Sequence, residues 1–476
     1  MAKTVLQKIK NLDAVFNPSS IAVIGASREP NKIGHVIVKN FVDGGFAGKI
    51  YPVNPNAKEI LGLHCYNSIH DIVGKVDSAV IVVPTALVAQ ELEACGKKGV
   101  KGVVIISSGF SEIGNIEGEQ RLVQIANKYG IALIGPNCMG VITAATHVDS
   151  VFLPIYKLGR PHVGKISFIS QSGALGGCIV DLAARVGIGM SKFVSYGNAA
   201  VVDECDFLEY FANDEETEVI VVYLEGIKDG RRFLSVARET TKKKPVIVLK
   251  GGKSSSGAQA ALSHTGSLAG SAEAYKAAFK QAKIIEAETL EELFDFAKIF
   301  DQGFAKGKRI GIVTNGGGVG VLAADSIETE GLSLANFSKQ TQQLLKASLP
   351  IYANVKNPLD LIGDADSHRY EIAINALVKD ENVDVIVVMI LFQTAAIDSS
   401  VVNMVIRASD MQKKPIIAVC TGGEYTEMHK RILESYGIPA YASPSSAMRA
   451  VSRFIKYAEH YSKYNNMSCP APIKTK

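Results

Sequence analysis

The stretch SIAVIGAS at residues 20–27 decides the fold class of this chain. A short run rich in Ile and Val ends in Gly25, and a helix-like pattern follows, which is typical of a buried parallel strand and its crossover helix. The same unit returns in KIYPVNP (49–55), SAVIVVP (78–84), GVVIISSGF (102–110) and ALIGPNCMG (132–140). These segments predict one doubly wound sheet with ligand groups at the carboxyl ends of its strands.

Two further blocks repeat the pattern. The second contains KISFISQSG, KFVSYGN, EVIVVYLEG and PVIVLKGG, and the third contains RIGIVTNGGGVG, VDVIVVMILF, PIIAVCTGG and IPAYASP. DQGFAKGKR at 301–309 interrupts the apolar rhythm and indicates a linker. We therefore predict an α/β protein of three tandem doubly wound domains: a Rossmann-like domain at 1–145, a flavodoxin-like domain at 146–300 and a second flavodoxin-like domain at 308–476.

Composition narrows the function classes. The 476 residues include 51 basic and 47 acidic side chains, a net charge of +4 that is not gathered in runs. This balance argues against a nucleic-acid or polybasic membrane surface and leaves small anionic substrates open. No apolar run reaches about 18 residues, so no membrane span is expected. The seven cysteines form no CxxC pair, which argues against disulfide or zinc frameworks and favours the cytoplasm.

The first strand-to-helix turn predicts a phosphate site, because Gly25 follows a strand and opens onto a helix. The spacing is not G-x-G-x-x-G, and YPVNP lacks the acidic residue that usually binds the ribose of NAD. Small groups at Asn54, Pro55, Val83 and Pro84, and at Ser107 to Gly109, suit an adenine nucleotide with a long pantetheine tail. Ordinary βα turns in a Rossmann-like sheet are the alternative interpretation.

The second block offers an anion site with a carboxylate nearby. The run Ser170, Gln171, Ser172 and Gly173 leads from a strand into a helix whose free N–H groups can bind phosphate. A plain serine N-cap is the alternative. Glu225 ends a hydrophobic strand, where a carboxylate can accept an imidazole N–H and make the other ring nitrogen a better nucleophile. A solvated loop glutamate is the alternative there.

His264 stands apart from the other eight histidines, which show no metal-ligand spacing and are interpreted as surface or packing residues. It lies in a Gly/Ser/Ala run from Gly251 to Ser271 that exceeds the roughly 12–15 residues of an ordinary loop. An imidazole with a usual pKa of about 6.5 is largely neutral at cytoplasmic pH and can attack a phosphoryl group. The segment therefore predicts a phosphoryl carrier, with a flexible surface connection as the alternative.

The ordered motifs SIAVIGAS, YPVNP, GPNCMG, SQSGALGG, YLEG, KGG, SHTGSLAG and NGGGVGVLAAD resemble those of the NDP-forming acyl-CoA synthetases. The resemblance covers about residues 15–455 and is most specific to the α subunits of ADP-forming acetyl-CoA synthetases, relatives of succinyl-CoA synthetase. It implies that acyl-CoA and phosphate give acyl phosphate and CoA, after which the phosphoryl group passes to histidine and then to ADP.

By resemblance, His264 is the phosphohistidine, Glu225 is its partner, and Ser170, Gln171, Ser172 and Gly173 steady the phosphate. The implied CoA site consists of Gly25, Ala26, Ser27, Arg28, Val53, Asn54, Pro55, Val83, Pro84, Ser107, Ser108 and Asn137. No protein metal ligand is expected in this chain.

One departure from the family concerns the nucleotide. Single-chain members also carry an ATP-grasp module, for which the sequence offers neither the Gly-rich lid nor the metal-carboxylate region. The resemblance therefore implies a separate ATP-grasp β subunit that binds ADP or ATP and Mg²⁺, in an α2β2 assembly. The acyl group, the choice between ADP and GDP and the physiological direction stay open.

Two other functions stay open. A non-catalytic CoA-binding scaffold or acyl-CoA sensor would use the first domain for ligand and the others for partners. An NAD-dependent oxidoreductase is disfavoured by the missing acidic ribose ligand. Even the third block has two interpretations, since TNGGGVG and Asp360 suit either a partner contact or close packing.

Overall fold

The computed structural model describes residues 2–257, 259 and 271–465. The chain divides into two compact units, one up to Glu286 and one from Ala287 onward. Both are α/β, with mostly parallel strands covered by helices. His264, the predicted phosphoryl carrier, lies outside the described residues.

The first sheet is parallel throughout and has the strand order β2-β1-β5-β6-β7. Its strands are β1 (Ser20–Ile24), β2 (Lys49–Val53), β5 (Ser78–Ile81), β6 (Gly102–Ile105) and β7 (Ala132–Ile134). A small antiparallel hairpin lies between β2 and β5 along the chain, with strands β3 (Glu59–Ile60) and β4 (Leu63–His64). The chain reverses its direction of travel across the sheet between β1 and β5, and such a switch point opens a crevice at the carboxyl edge.

Helices cover this sheet, and some of them end at left-handed glycine residues. They are α1 (Ala2–Asn11), α2 (Asp13–Phe16), α3 (Ile33–Asp43), α4 (Thr85–Lys98) and α5 (Ile116–Tyr129), with 3-10 turns at Ile69–Asp71 and Ser111–Ile113. The Asn115 side chain accepts the Gly118 N–H at the start of α5, and left-handed Gly130 ends the same helix. The helices bury apolar side chains against the strands, of which β1, β5, β6 and β7 are buried throughout and β2 is exposed at its start.

The second sheet has seven strands in the order β14-β13-β12-β10-β11-β8-β9. They are β8 (Gly140–Thr143), β9 (Val148–Asp149), β10 (Val163–Ser170), β11 (Met190–Ser195), β12 (Val219–Leu224), β13 (Val246–Lys250) and β14 (Ile285–Ala287). Strand β8 pairs antiparallel with β11 and with β9. An antiparallel edge on an otherwise parallel sheet is common in doubly wound folds.

Within the described part of the chain, the second sheet is accompanied by the helices α6 (Gly173–Val186), α7 (Glu204–Asn213), α8 (Gly230–Thr241) and α9 (Ala272–Ala282). The register places Ser170 beside Ser195 and Tyr223, and Leu224 beside Lys250. The carboxyl ends of β10, β12 and β13 therefore meet at one edge of the sheet.

The second unit contains the third sheet, in the order β16-β15-β18-β19-β20 with β17 on β15. Its strands are β15 (Arg309–Thr314), β16 (Ser333–Leu334), β17 (Leu359–Asp360), β18 (Val385–Met389), β19 (Ile416–Val419) and β20 (Ala440–Tyr441). The longer strands match the predicted runs, whereas the two-residue strands β16 and β17 were not predicted. All the pairings within this sheet are parallel.

The helices of the second unit are α10 (Leu290–Lys298), α11 (Gly317–Thr329), α12 (Lys339–Ser348), α13 (Ser367–Lys379), α14 (Ser400–Asp410), α15 (Glu424–Ser435) and α16 (Pro444–Asn465), with a 3-10 turn at Ile299–Asp301. Helices α10 and α11 both pack against α16. Among the described helices of the whole chain, none is both long and apolar enough to cross a membrane.

Candidate active site

The turn after β1 packs closely against α3. Gly25 has a φ of +92°, and its N–H donates to Val53 O at 3.0 Å. A Cβ atom on Gly34, in α3, would lie 2.0 Å from Gly25 O. Only glycine at position 34 lets the helix approach the turn this closely, so the turn and the start of α3 form one rigid element.

Side chains hold the neighbouring predicted CoA residues. Asn54 Nδ2 donates to Ala26 O at 2.7 Å, which joins the ends of β1 and β2. His35 Nδ1 lies 2.9 Å from Ser27 O, and the His35 ring is buried. Arg28 and Pro55 are exposed at the rim. The structure thus brings together the two predicted groups at the ends of β1 and β2.

The other half of the predicted CoA set follows β5, β6 and β7. Ser107 Oγ donates to Val83 O at 2.6 Å, and Asn137 N donates to Ser107 O at 3.0 Å. Thr85 Oγ1 donates to Ser108 O at 2.8 Å beside Pro84, the N-cap residue of α4. These bonds connect the carboxyl ends of three adjacent strands, so these predicted residues lie at the same edge of the sheet as those that follow β1 and β2.

The predicted phosphate site lies where β10 leads into α6. Ser172 is the N-cap residue, and its Oγ accepts the Leu175 N–H at 3.3 Å, while buried Ser170 Oγ donates to Ser172 O at 2.6 Å. Gly173 is the first residue of the helix. The N–H groups of a first helical turn lack intrahelical partners and, with the helix dipole, favour an anion. The serine cap and an anion site are compatible here.

Gln171 connects this helix start to Glu225. Its Oε1 accepts the Glu225 N–H at 2.7 Å and the Gly226 N–H at 3.0 Å. Gln171 is itself buried. Two predicted site elements from separate strands are therefore in direct contact.

The Glu225 carboxylate is 7% exposed, which rules out the alternative of a solvated loop glutamate. Its Oε1 accepts a hydrogen bond from Tyr223 Oη at 3.3 Å. Its Oε2 is buried and has no hydrogen-bond partner among the described residues. Because buried carboxylate oxygens are normally hydrogen-bonded, this free acceptor marks a place for a donor.

Tyr223 and Gly251 shape the surroundings of this carboxylate. Burial, together with the negative charge of Glu225, raises the pKa of Tyr223 to about 12. The phenol therefore stays protonated and can donate to Glu225 across the physiological range. A Cβ atom on Gly251 would lie 2.5 Å from Tyr223 Oη, so glycine at 251 leaves room for this hydroxyl.

Two acidic residues cap the start of α7. Asp203 is the N-cap residue, its side chain accepts two backbone N–H groups, and Asp206 completes a capping box. Arg232 pairs with both carboxylates. Asn198, which precedes α7 in the chain, donates to the carboxylates of Glu112 and Glu119, at 2.6 and 2.9 Å.

Several residues around the site were not predicted from the sequence to have a role there: Tyr223, Lys250, Tyr275 and His35. Tyr223 carried a signal, because residues i and i+2 of a strand point to the same face and Glu225 was already singled out. Lys250 belongs to the quoted KGG motif, but no role was derived for it. Tyr275 and His35 carried no signal, because only tertiary contacts connect them to the site.

Comparison with known families agrees with this arrangement of domains. A CoA binding domain model matches residues 19–144, a succinyl-CoA ligase like flavodoxin domain model matches 163–300, and a ligase-CoA domain model matches 310–461. The fold and the matched models together define a CoA ligase that is built from domains of the α/β class.

Similar proteins indicate which family of CoA ligases the chain belongs to. The α subunit of acetate–CoA ligase [ADP-forming] II from Pyrococcus furiosus is 45% identical over 94% of this chain and 98% of its own length. A solved structure of dinucleotide forming acetyl-coenzyme A synthetase 1 from Ca. Korarchaeum cryptofilum, in complex with phosphate and ADP, superposes with a TM-score of 0.90. It is 39% identical and covers 96% of this chain and 98% of that chain. The chain belongs to the ADP-forming acetate–CoA ligase family and corresponds to its α subunits.

Some family members are longer. Acetate–CoA ligase [ADP-forming] I from Archaeoglobus fulgidus is 46% identical over 94% of this chain, but the match spans only 64% of that relative's length. The remaining third of the longer relative has no counterpart in the 476 residues. The family therefore includes both separate α subunits and longer chains.

Proposed function

We propose that this chain is the α subunit of an ADP-forming acetyl-CoA synthetase, which converts acyl-CoA, phosphate and ADP into acid, CoA and ATP. The observation that carries the proposal is the Glu225 carboxylate, buried with one oxygen unpartnered among the described residues. It is linked through Gln171 to a helix start suited to an anion. The family match supplies the reaction class.

The first step forms acyl phosphate. A phosphate oxygen attacks the thioester carbonyl, the C–S bond breaks, and the CoA sulfur leaves and takes up a proton. We assign CoA to the crevice lined by Gly25, Asn54, Val83, Ser107 and Asn137, where strand ends present backbone groups to a ligand. Phosphate is assigned to the start of α6, where Ser172 caps the helix.

The second step moves the phosphoryl group to His264. A ring nitrogen attacks phosphorus, the bond to the acyl oxygen breaks, and the acid leaves. Through its free Oε2, Glu225 would accept a hydrogen bond from the N–H of the other ring nitrogen, which fixes the tautomer and stabilises the positive charge that develops on the ring. Because phosphoryl transfer depends on positioning and charge stabilisation, a fixed carboxylate is the part this chain must supply.

The last step needs a partner. An ADP oxygen attacks the phosphorus of phosphohistidine, which restores the neutral imidazole and gives ATP. We assign the nucleotide and Mg²⁺ to an ATP-grasp β subunit in an α2β2 assembly, where the metal ion would neutralise phosphate charge. The cytoplasmic location and the domain boundaries at 1–145, 146–300 and 308–476 also stay proposals.

Mass spectrometry of intact peptides tests the proposed function. The chain, co-expressed with an ATP-grasp partner, is given acetyl-CoA and phosphate and kept at neutral to alkaline pH, because phosphohistidine is acid-labile. We expect phosphate on His264 that disappears when ADP is added. Glu225→Gln should lower phosphorylation at least about 100-fold, a loss typical of removing a group that acts with the nucleophile, and leave CoA binding unchanged.

The exposed residue Glu215 provides a matched control, since Glu215→Gln makes the same chemical change away from the site. If CoA binds but His264 stays unmodified across a panel of acyl-CoAs, the synthetase function is wrong. The CoA-binding scaffold or acyl-CoA sensor then takes its place.

A further inference from the structure

The backbone turn Glu225–Ile227 is held by side chains from three separate elements. Gln171, at the end of β10, accepts the N–H groups of Glu225 and Gly226. Lys250 Nζ, at the end of β13, donates to Glu225 O at 2.8 Å. Tyr275 Oη, on α9, accepts the Ile227 N–H at 3.1 Å. The three backbone N–H groups of this turn and the Glu225 carbonyl therefore all have side-chain partners.

Lys250 is a buried cation with a specific set of neighbours. The residue is 4% exposed, and its ammonium also donates to Gly251 O. The same Nζ lies 4.7 Å from the centroid of the Tyr275 ring, within the range of a cation–π contact. Burial lowers the pKa of Lys250, while the Glu225 carboxylate opposes this shift.

The two side chains also come from opposite ends of the Gly/Ser/Ala segment. Lys250 directly precedes Gly251, and Tyr275 lies four residues beyond Ser271, the N-cap residue of α9. Their mutual contact joins the strand before the segment to the helix after it. The same two side chains form hydrogen bonds with the turn that carries the free Glu225 oxygen.

We propose that Lys250 and Tyr275 form a clamp that sets the orientation of Glu225, so that both are positioning residues for phosphoryl transfer to His264. This inference rests on the function proposed above. Neither side chain needs to touch the phosphate. Lys250 fixes the direction of the Glu225 carbonyl, and Tyr275 fixes the Ile227 N–H. The Glu225 side chain then has little freedom to turn its unpartnered oxygen away from a donor.

Burying an ammonium is costly unless it is paired and hydrogen-bonded. An apolar residue would fill the same space without this cost, but it would leave the Glu225 and Gly251 carbonyls without their donor. Lysine at 250 therefore serves the geometry of the turn more directly than it serves core packing.

The test is single-turnover phosphorylation of His264 in the complex with its partner subunit, using acetyl-CoA and inorganic phosphate. Lys250→Met should slow phosphorylation at least 10-fold with an unchanged dissociation constant for CoA. Tyr275→Leu should behave similarly, whereas Tyr275→Phe keeps the ring and should lose less. Lys276→Met is the matched control, because Lys276 is exposed on the same helix as Tyr275.

A double-mutant cycle separates positioning from general damage. If Lys250 acts through Glu225, adding Lys250→Met to Glu225→Gln should cause no further loss, whereas a merely structural defect would multiply the two losses. If Lys250→Met fails to fold, Tyr275→Phe carries the same cycle with Glu225→Gln.

The possible failures are distinct. If wild-type His264 is phosphorylated and Lys250→Met and Tyr275→Leu show the same rate as the wild type, the clamp alone is overturned. Multiplicative losses in the double-mutant cycle would also overturn the clamp alone. Absence of phosphate on wild-type His264, with CoA still bound, would overturn the proposed function and the clamp together.

Discussion

The crevice of the first sheet and the Glu225 turn of the second sheet lie at equivalent edges of similar folds, yet they are built differently. The crevice is held by close backbone approach, as at Gly25 and Gly34, and by neutral side chains such as Asn54 and Ser107. The Glu225 turn is held by buried polar and charged side chains, Lys250 among them. Close backbone approach and neutral side chains thus position the predicted CoA residues, whereas buried polar and charged side chains position the Glu225 turn.

The largest effect is expected where the crevice depends on the absence of a side chain. In Gly34→Ala the new Cβ would lie 2.0 Å from Gly25 O, a backbone atom that cannot rotate away. We expect CoA to bind roughly 100-fold more weakly, a loss of about 2.7 kcal/mol, within the usual cost of overpacking. Isothermal titration calorimetry with CoA measures it.

Gly230→Ala is the control, because nothing lies within 4 Å of the position of its Cβ atom. Normal CoA affinity in Gly34→Ala would show that CoA binding does not depend on the close backbone approach at this position. The first sheet would then not differ from the Glu225 turn in this respect.

A smaller effect concerns Glu204, a second buried carboxylate in the domain of the second sheet. Burial and the negative charge of Asp203 raise the pKa of Glu204 from the ordinary 4.5 to about 7, against the opposing charges of Lys228 and Arg232. Between these values the folded protein binds more protons than the unfolded chain, so this contribution to stability is full below pH 4.5 and is lost as the pH rises through 7.

Glu204→Gln should remove that pH dependence, worth about 2 kcal/mol, since a shift of this size sets a ceiling near 3 kcal/mol. Chemical denaturation at pH 5 and pH 7.5 gives the free energies of unfolding. The exposed residue Glu215 again provides the control, as Glu215→Gln. Equal pH dependence in wild type and Glu204→Gln would show that this region does not hold its carboxylate in the protonated form.

The smallest effect tests one hydrogen bond to Glu225. Tyr223→Phe removes the donor 3.3 Å from Oε1, and we expect His264 phosphorylation to fall about 5-fold, near the 1 kcal/mol of an average hydrogen bond. Gly251→Ala should act in the same direction, because its Cβ atom would push Tyr223 Oη aside. Rapid-quench phosphorylation assays measure both.

CoA affinity should not change in either variant. A fall in CoA affinity equal to the fall in phosphorylation would mean that the two regions are not separate, which contradicts the comparison.

The strands were largely predictable, because most of the buried strands are short runs rich in Ile and Val. Each of the main strands of the three sheets coincides with, or overlaps, one of the runs quoted for its domain. The antiparallel strands β8 and β9 were not predicted. Strand β8 follows GPNCM with no new signal, and its pairing with β11 depends on residues some 50 positions away.

The candidate site was predicted in its parts but not in its connections. Glu225, Gln171 and Ser172 each stand at the end of a strand or the start of a helix, which local pattern reveals. That Gln171 binds the Glu225 turn was not foreseen, because the contact joins residues 54 positions apart. Whether His264 meets the Glu225 oxygen stays a prediction.

Local order of residues determined the fold class, the family and the identity of the candidate catalytic and binding groups, because strand ends, caps and glycine turns depend on neighbours in the chain. Tertiary structure alone decided which oxygen of Glu225 is left without a described partner, and that Lys250 and Tyr275 meet across the turn. Burial and hydrogen-bond geometry arise only when distant segments pack, and they turn a glutamate in the sequence into a positioned carboxylate.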